Sequence, residues 1–339
     1  MRDIARLAGV SQSTVSRVLN DAPTRVPIAP ETRQRVVLAA RRLGYRPNPL
    51  ARGLRGAPTM LIGAIVRDIT DPFFAGAIEA LSVEAMGRGY NVVLGQCHGR
   101  ADEALALTAV LETRHCDAIV LLGDVQDQPR LLADLKDARV PVVGLWQGSS
   151  PLEVPTIDVD NRAGIVAALE HLVGLGHRRI AFIGGRPLGD IREREAAYLA
   201  FMSERFGGVP DGYLQRTTNT PIGGETALQA LLALPEPPTA VVTSTDTLAF
   251  GVLHGAHVVG CAVPDELSVV GFDDILLARY TVPALTTVRM PTAEIAAEGI
   301  RLAIELAREP NAAAREPRVT VIPPSLIVRS STAPPPPES

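Results

Sequence analysis

Residues 4–20 read IARLAGVSQSTVSRVLN, and two short apolar faces stand out in them. Ile4, Leu7 and Ala8 recur at helical spacing, Val15, Val18 and Leu19 do so again, and only Gly9-Val10-Ser11 separates the two sets. Gly9 falls where a first helix must end in a left-handed residue. Ser11 falls where a side-chain oxygen can cap the free N–H groups of the next helix. The pattern is that of a helix-turn-helix, whose second helix would turn Gln12, Ser13, Ser16 and Arg17 outward toward a DNA major groove. An ordinary helical hairpin, polar outside because it is wet, fits the same residues.

Charge separates the two readings. Residues 1–56 carry eleven Arg against Asp3, Asp21 and Glu31, a balance of +8, while the whole chain is −4, so the remainder carries −12. A basic end on an acidic body is the asymmetry expected where one end meets phosphate and the rest does not. At 339 residues, with 46% hydrophobic content, the chain suits a small domain plus a larger one. No apolar run is long enough to span a bilayer. The arginine-bearing amphipathic N-terminus has no apolar signal core, so the expected location is the cytoplasm. Cys97, Cys116 and Cys261 form no C-x-x-C pair and read as reduced, buried thiols. Cys97-His98 and His115-Cys116 would lie about 20 Å apart at opposite ends of neighbouring strands, so neither metal nor cofactor is expected.

After Asn20 a polar, proline-rich connection leads to a third helix with Val36, Val37, Ala40 and Leu43 at helical spacing and Pro30 at its first position. Then comes RPNPLARGLRG, residues 46–56. Its Leu50 to Arg55 segment is too short to be helical alone, and Gly53 weakens it by about 1 kcal/mol relative to Ala. It reads either as a flexible basic linker or as a hinge helix that orders on DNA, with Leu54 wedging the minor groove and Arg55 reaching into it.

From Thr59 onward β-rich runs alternate with helical ones: MLIGAIV, a helix from Pro72, NVVLGQ, a helix over 101–113, DAIVLL, a helix over 129–138 and PVVGLW. After Asn161 the alternation starts again, through RIAFIG, AVVTS and SVVGF with helices between. LTTVR, a helix over 292–307 and RVTVI follow. This is α/β architecture with parallel, doubly wound sheets in two similar halves, and ligands in such sheets bind outside the carboxyl ends of the strands. STAPPPPES, residues 331–339, reads as a disordered tail.

Several motifs together resemble the lactose-repressor/galactose-repressor (LacI/GalR) family of bacterial transcription regulators. They are the opening stretch, PETRQRVVLAARRLGYRPN, ARGLR, VRDITDPFF, VDN, GHRRIAFIGG, SVVGFDD and PALTTVR, spread from Asp3 to about Arg329. The resemblance implies a helix-turn-helix headpiece over 1–46 and a hinge over 47–56. It also implies a two-lobed, periplasmic-binding-protein-like body over 57–330, in which 57–159 with 291–322 and 160–290 with 323–330 form the lobes. It implies a homodimer or dimer of dimers on pseudo-palindromic, double-stranded operator DNA, answering to a small-molecule effector and independent of membranes.

Residue by residue, it makes Gln12, Ser13 and Arg17 base readers and Ser11, Thr14 and Asn20 phosphate contacts. It places Phe73, Trp146, Arg194, Asn219, Thr245 and Asp273 at effector-binding positions. Plainer readings stand beside some of these: Asp71 nearby as a helix cap, Arg194 with Asp273 as a structural ion pair, Trp146 as a core or subunit-contact residue. Trp146 stands where many members carry Asp, Thr245 where many carry Asn, and Asn219 where an aromatic is common, so the effector differs from that of familiar relatives. A cytosolic α/β enzyme is the alternative, but no G-x-G-x-x-G after a strand, no G-x-x-x-x-G-K-[ST] and no G-x-S-x-G occurs. An exported solute-binding protein would share the body but lacks a reason for the basic headpiece.

Overall fold

The computed structural model describes residues 1–19, 27–45, 58–125, 131, 135, 138–148, 154–185, 188–309 and 319–337. Asn20, Leu54, Arg55 and most of the helix expected over 129–138 lie outside the described residues. The chain divides into two compact units, Met1–Met60 and Leu61–Ser339.

In the first unit, α1 (Arg2–Ala8), α2 (Gln12–Leu19) and α3 (Pro30–Arg42) enclose a small core of Ile4, Ala5, Ala8, Val15, Val18, Val36, Ala39 and Ala40. With so few buried side chains, truncating Ile4 to Ala would cost about 2–5 kcal/mol, enough to unfold the unit. Gly9 ends α1 at φ 66°, a left-handed position that a Cβ would strain. Leu7 departs from the expected apolar face: it is 50% exposed, and Ala5 takes its place in the core. Leu43 likewise ends α3 as an exposed cap residue rather than a core one.

The second unit holds two six-stranded sheets. Its described elements in chain order are β1 (Leu61–Val66), α4 (Pro72–Gly87), β2 (Asn91–Gln96), α5 (Ala101–Thr113), β3 (Ala118–Leu122), β4 (Val142–Leu145) and β5 (Thr156–Val159). There follow α6 (Asn161–Gly174), β6 (Ile180–Gly184), α7 (Gly189–Phe206), β7 (Leu214–Arg216), α8 (Pro221–Leu232), β8 (Ala240–Thr243), α9 (Asp246–Val259) and β9 (Ser268–Asp273). The last are β10 (Thr286–Arg289), α10 (Thr292–Arg308), β11 (Val319–Ile322) and β12 (Ser325–Ile327). The first sheet runs β11-β5-β4-β3-β1-β2 with every pair parallel, and the second runs β12-β10-β9-β8-β6-β7 with only β10 and β12 antiparallel.

The inner strands β1, β3, β4, β6, β8 and β9 are buried along nearly their whole length, because helices cover both faces of a parallel sheet. That is why they read as continuous apolar runs rather than alternating ones. β11 crosses back to the first sheet and β12 returns to the second, so three segments join the lobes. In each sheet the strand order reverses beside the first strand, between β1 and β3 and between β6 and β8. The carboxyl ends of these strands are therefore where a crevice forms.

The C-terminal segment corrects one expectation. Ser331 is fully buried: its carbonyl accepts from Val269 N, its hydroxyl donates to Val269 O, and it accepts from Thr286 N. Ala333 bonds Ser268 and His177, and Thr332 bonds His171. Prolines cannot donate to a sheet, but Ser331 and Ala333 satisfy the backbone here without them. The segment is part of the second lobe at least as far as Ala333.

Candidate functional site

The headpiece presents its polar residues as the helix geometry requires. Ser11 Oγ accepts from Thr14 N at 3.1 Å and lies 2.7 Å from Ser13 Oγ and 2.9 Å from Thr14 Oγ1, so it caps α2 as its position suggested. Val15 and Val18 lock one side of α2 into the core, which leaves Gln12, Ser13 and Arg17 exposed together and Thr14 half-buried. The free N–H groups and positive dipole end of α2 lie beside Ser11, a place suited to phosphate.

In the body a cavity of about 510 Å³ opens between the lobes. Arg67, Asp68 and Asp71 line it from the first lobe, and Ile191, Asn219, Thr247 and Phe250 from the second. Asn219 is the one expected effector residue on its wall. Phe73, Trp146, Arg194, Thr245 and Asp273 are buried and lie off the lining.

Asp71 caps α4, accepting from Phe73 N at 3.1 Å, and its other oxygen accepts from Asn219 Nδ2 at 3.1 Å. The cap reading is therefore right and incomplete, because the same carboxylate also ties the lobes. Thr245 caps α9 through Leu248 N and donates to Asn219 Oδ1 at 2.6 Å. Phe74 is core, and Phe73 meets Trp146 edge-on, centroids 5.4 Å apart at 89°. Trp146 stands one residue past β4 with φ 54° and is 2% exposed.

Arg194 is 1% exposed with every side of its guanidinium occupied. Nε donates to Asn161 Oδ1 at 2.8 Å, Nη1 to Ser244 O at 2.6 Å and to Asp273 Oδ1 at 3.3 Å, and the plane lies over the Phe272 ring at 3.7 Å. The structural ion pair is thus present. Asp273 holds φ 122°, a conformation that L-residues rarely adopt, and such strain persists where the surroundings impose it. Burial pushes its carboxyl well above the ordinary range despite Arg194. Its neighbour Asp274 turns away to Arg289 at 2.7 Å and to Arg329, and Arg192 is exposed.

Sequence reasoning missed Arg67, Asp124 and Asp190. Arg67 directly follows β1 and Asp124 follows β3 by one residue beyond Gly123, so the rule that strand ends reach the crevice would have found both. Arg67 Nη1 lies 3.0 Å from Asp124 Oδ1 and 3.3 Å from Asp190 Oδ1. Two guanidinium groups, Arg67 and Arg194, thus stand among the carboxyls of Asp71, Asp124, Asp190 and Asp273, so the interior of the cleft leans acidic.

Comparison with known proteins settles what carries this architecture. A model described as bacterial regulatory proteins, lacI family, matches residues 1–48, and one described as periplasmic binding protein-like domain matches residues 169–332. The HTH-type transcriptional repressor CytR of Escherichia coli (strain K12) is 35% identical over 308 residues, 90% of this chain and 89% of that protein. The chain belongs to the LacI family. Catabolite control protein A of Priestia megaterium is 34% identical over 304 residues, 88% of this chain and 90% of that protein. Among solved structures, the lac repressor dimer bound to operator and the anti-inducer ONPF matches with a TM-score of 0.86 at 25% identity, covering 98% of each chain.

This LacI-family chain is a DNA-binding transcriptional regulator whose body holds a cavity between two lobes. Its relatives are regulators rather than enzymes. No described helix is long and apolar enough to cross a membrane.

Proposed function

We propose that the protein is a cytoplasmic, non-enzymatic repressor whose operator affinity is set by a polyhydroxylated small molecule, a sugar or nucleoside, held between the lobes. Gln12, Ser13 and Arg17 read bases, while Ser11, Thr14 and Asn20 hold phosphates. Leu54 and Arg55 enter the minor groove from the hinge. In the body, Asn219 and Asp71 meet the effector at the cavity wall, and Phe73, Trp146, Arg194, Thr245 and Asp273 form the layer behind them.

The observation that carries this reading is the cavity of about 510 Å³ lined from both lobes by Asp68, Asp71, Asn219 and Thr247 beside Phe250 and Ile191. Carboxylate, amide and hydroxyl groups offer acceptors and donors to hydroxyls, and the apolar wall suits a ring face. A structural relative, the transcriptional regulator CelR, was solved with cellobiose (TM-score 0.72, 30% identity), which supports a sugar here. Leu276, Tyr280 and Val282, the last 96% exposed, offer an apolar face for the partner subunit.

The test is to select operator sequences from random duplexes with the full chain, then titrate a panel of neutral sugars and nucleosides against the complex. Release of the duplex by one of them, lost in Asp273→Ala while operator binding survives, is the expected result. Equal binding to all duplexes, or no response to any of the panel, would overturn the reading.

A further inference from the structure

At the seam of the lobes the main chains touch. Gly148, just past β4, has φ 68°, and a Cβ there would run into the backbone of Gly189 and Asp190; a Cβ on Gly189 would in turn strike Gln147 O. Side chains are excluded, so the approach of the lobes is set by what stands immediately beside this contact. That is Arg67 Nη1, shared between Asp124 Oδ1 at 3.0 Å and Asp190 Oδ1 at 3.3 Å. Asp124 also accepts a hydrogen bond from Gly189 N at the start of α7. Asp124 and Arg67 belong to the first lobe, Asp190 and Gly189 to the second.

Closing the lobes therefore brings two buried carboxylates onto one cation nitrogen, and opening them separates the pair. The two are not equivalent. Asp190 has a second cation, Arg194, at 3.8 Å within its own lobe, whereas among the described residues Asp124 pairs with Arg67 alone. Asp71, at the start of α4, draws on the same Arg67. The excess negative charge of the seam thus falls on Asp124.

We propose that closure of the two lobes is coupled to the uptake of one proton by Asp124, so that acidity is a second input to the cleft. The proton comes from solvent and rests on an Asp124 oxygen, leaving Asp190 ionised between Arg67 and Arg194. Burial and the facing Asp190 raise the Asp124 carboxyl to about 6, against the pull of Arg67. Burial pushes Asp190 up as well, but Arg67 and Arg194 hold it below the ordinary range. When the lobes part, Asp124 returns to water and to the usual carboxylate range. The closed form then binds the proton more tightly, so falling pH favours closure; above about 7 Asp124 is ionised in both forms and pH has no further effect. As regulation of the cleft this rests on the function proposed above, but the coupling itself is measured without effector or DNA.

The experiment uses the full chain with Cys261→Ser and spin labels on Ala109→Cys of α5 and Gln229→Cys of α8, both exposed, one in each lobe. Pulsed electron resonance reads the inter-lobe distance distribution as a function of pH. The ratio of short to long distances should rise roughly fourfold between pH 7.5 and 5.5. Asp124→Asn, neutral at every pH, should hold the high ratio throughout. Asp190→Asn, which removes the facing charge, should move the midpoint to lower pH.

A ratio that is constant or falls on acidification, or a pH step that survives in Asp124→Asn, overturns the proposal. If Asp124→Asn does not fold, an unmoved midpoint in Asp190→Asn overturns it alone. An unresponsive sugar panel would leave this result standing, so the two failures are distinguishable.

Discussion

Asn219 of the second lobe donates from Nδ2 to Asp71 Oδ2 of the first at 3.1 Å, the same carboxylate whose other oxygen caps α4. One residue that begins a helix in one lobe thus anchors the other. Asn219→Ala should remove this tie, worth about 1 kcal/mol, and leave the Thr245 hydroxyl to find water. The α4 cap is untouched, so stability should hardly change. The expected result is a roughly fivefold shift in the effector midpoint for operator release, measured by titration against a labelled duplex. Asn219→Asp, which sets a like charge beside Asp71, should shift it further.

In the headpiece, two substitutions on α2 should separate folding from reading. Ser11→Ala removes the bond to Thr14 N and should lower headpiece stability by about 1 kcal/mol, seen as faster amide exchange across α2. Arg17→Ala touches nothing in the core and should leave exchange unchanged. It should cost about 1–3 kcal/mol on the selected operator and relax one base position, with little loss on random duplex. Equal losses on both duplexes would make Arg17 a phosphate contact instead.

Asp158 of β5 is buried, accepting from Val159 N at 2.8 Å and from the backbone of Gly148, with acidic neighbours in Glu193 and Asp190. Burial pushes its carboxyl up to about 7. A raised carboxyl stabilises the fold while protonated, and that contribution is lost as pH rises from the ordinary carboxylate range through 7. Asp158→Asn keeps the shape and the bond to Val159 N. It should therefore raise stability at pH 8 by an amount on the order of 2 kcal/mol, seen as a higher unfolding temperature, and leave it unchanged at pH 4. Calorimetry at the two pH values checks both halves.

The excess of carboxyls over guanidinium groups in the cleft makes a prediction about ligand charge. Arg67 and Arg194 are each already engaged by two aspartates, so neither is free to take a phosphate or a uronic acid. Matched pairs should bind in the order neutral sugar well above its phosphorylated or oxidised counterpart, by tenfold or more, roughly the effect of one unpaired like charge. Calorimetric titration of such pairs decides it, and tighter binding of the anionic member would mean that Arg67 leaves its aspartates.

Why the strands and helices were legible while the seam was not follows from the range of the interactions. The runs LIGAIV, AIVLL and IAFIG are continuous and apolar because both faces of their strands are covered, and Asp71, Thr220 and Thr245 mark helix starts through bonds two or three residues away. Such signals are local. Thr156–Val159, Leu214–Arg216 and Ser325–Ile327 are too short to show a period, and they went unread. Arg67, Asp124 and Asp190 meet across 57 and 123 residues, and nothing in any of the three segments announces the other two. The prolines of the tail misled for a related reason, since its anchors, His177, Ser268 and Val269, lie far upstream.

Trp146 offers the last test. Its ring is covered, edge-on, by Phe73, so a ligand can stack on it only by displacing that ring. Its Nε1 is the buried side-chain nitrogen that finds no hydrogen-bond acceptor among the described residues, and an unmet buried donor costs about 1–3 kcal/mol. Together with φ 54° at the cleft end of β4, this fits the effector role proposed for Trp146. Trp146→Phe preserves most of the apolar contact and deletes the donor. It should leave the unfolding temperature nearly unchanged, while weakening the effector found in the sugar and nucleoside panel about tenfold, the loss of one good hydrogen bond. Because the chain has one Trp, wild-type emission reports the same event directly and should shift on effector binding. An effector that alters DNA affinity with neither a change in that emission nor a loss in Trp146→Phe would assign the indole to the core after all.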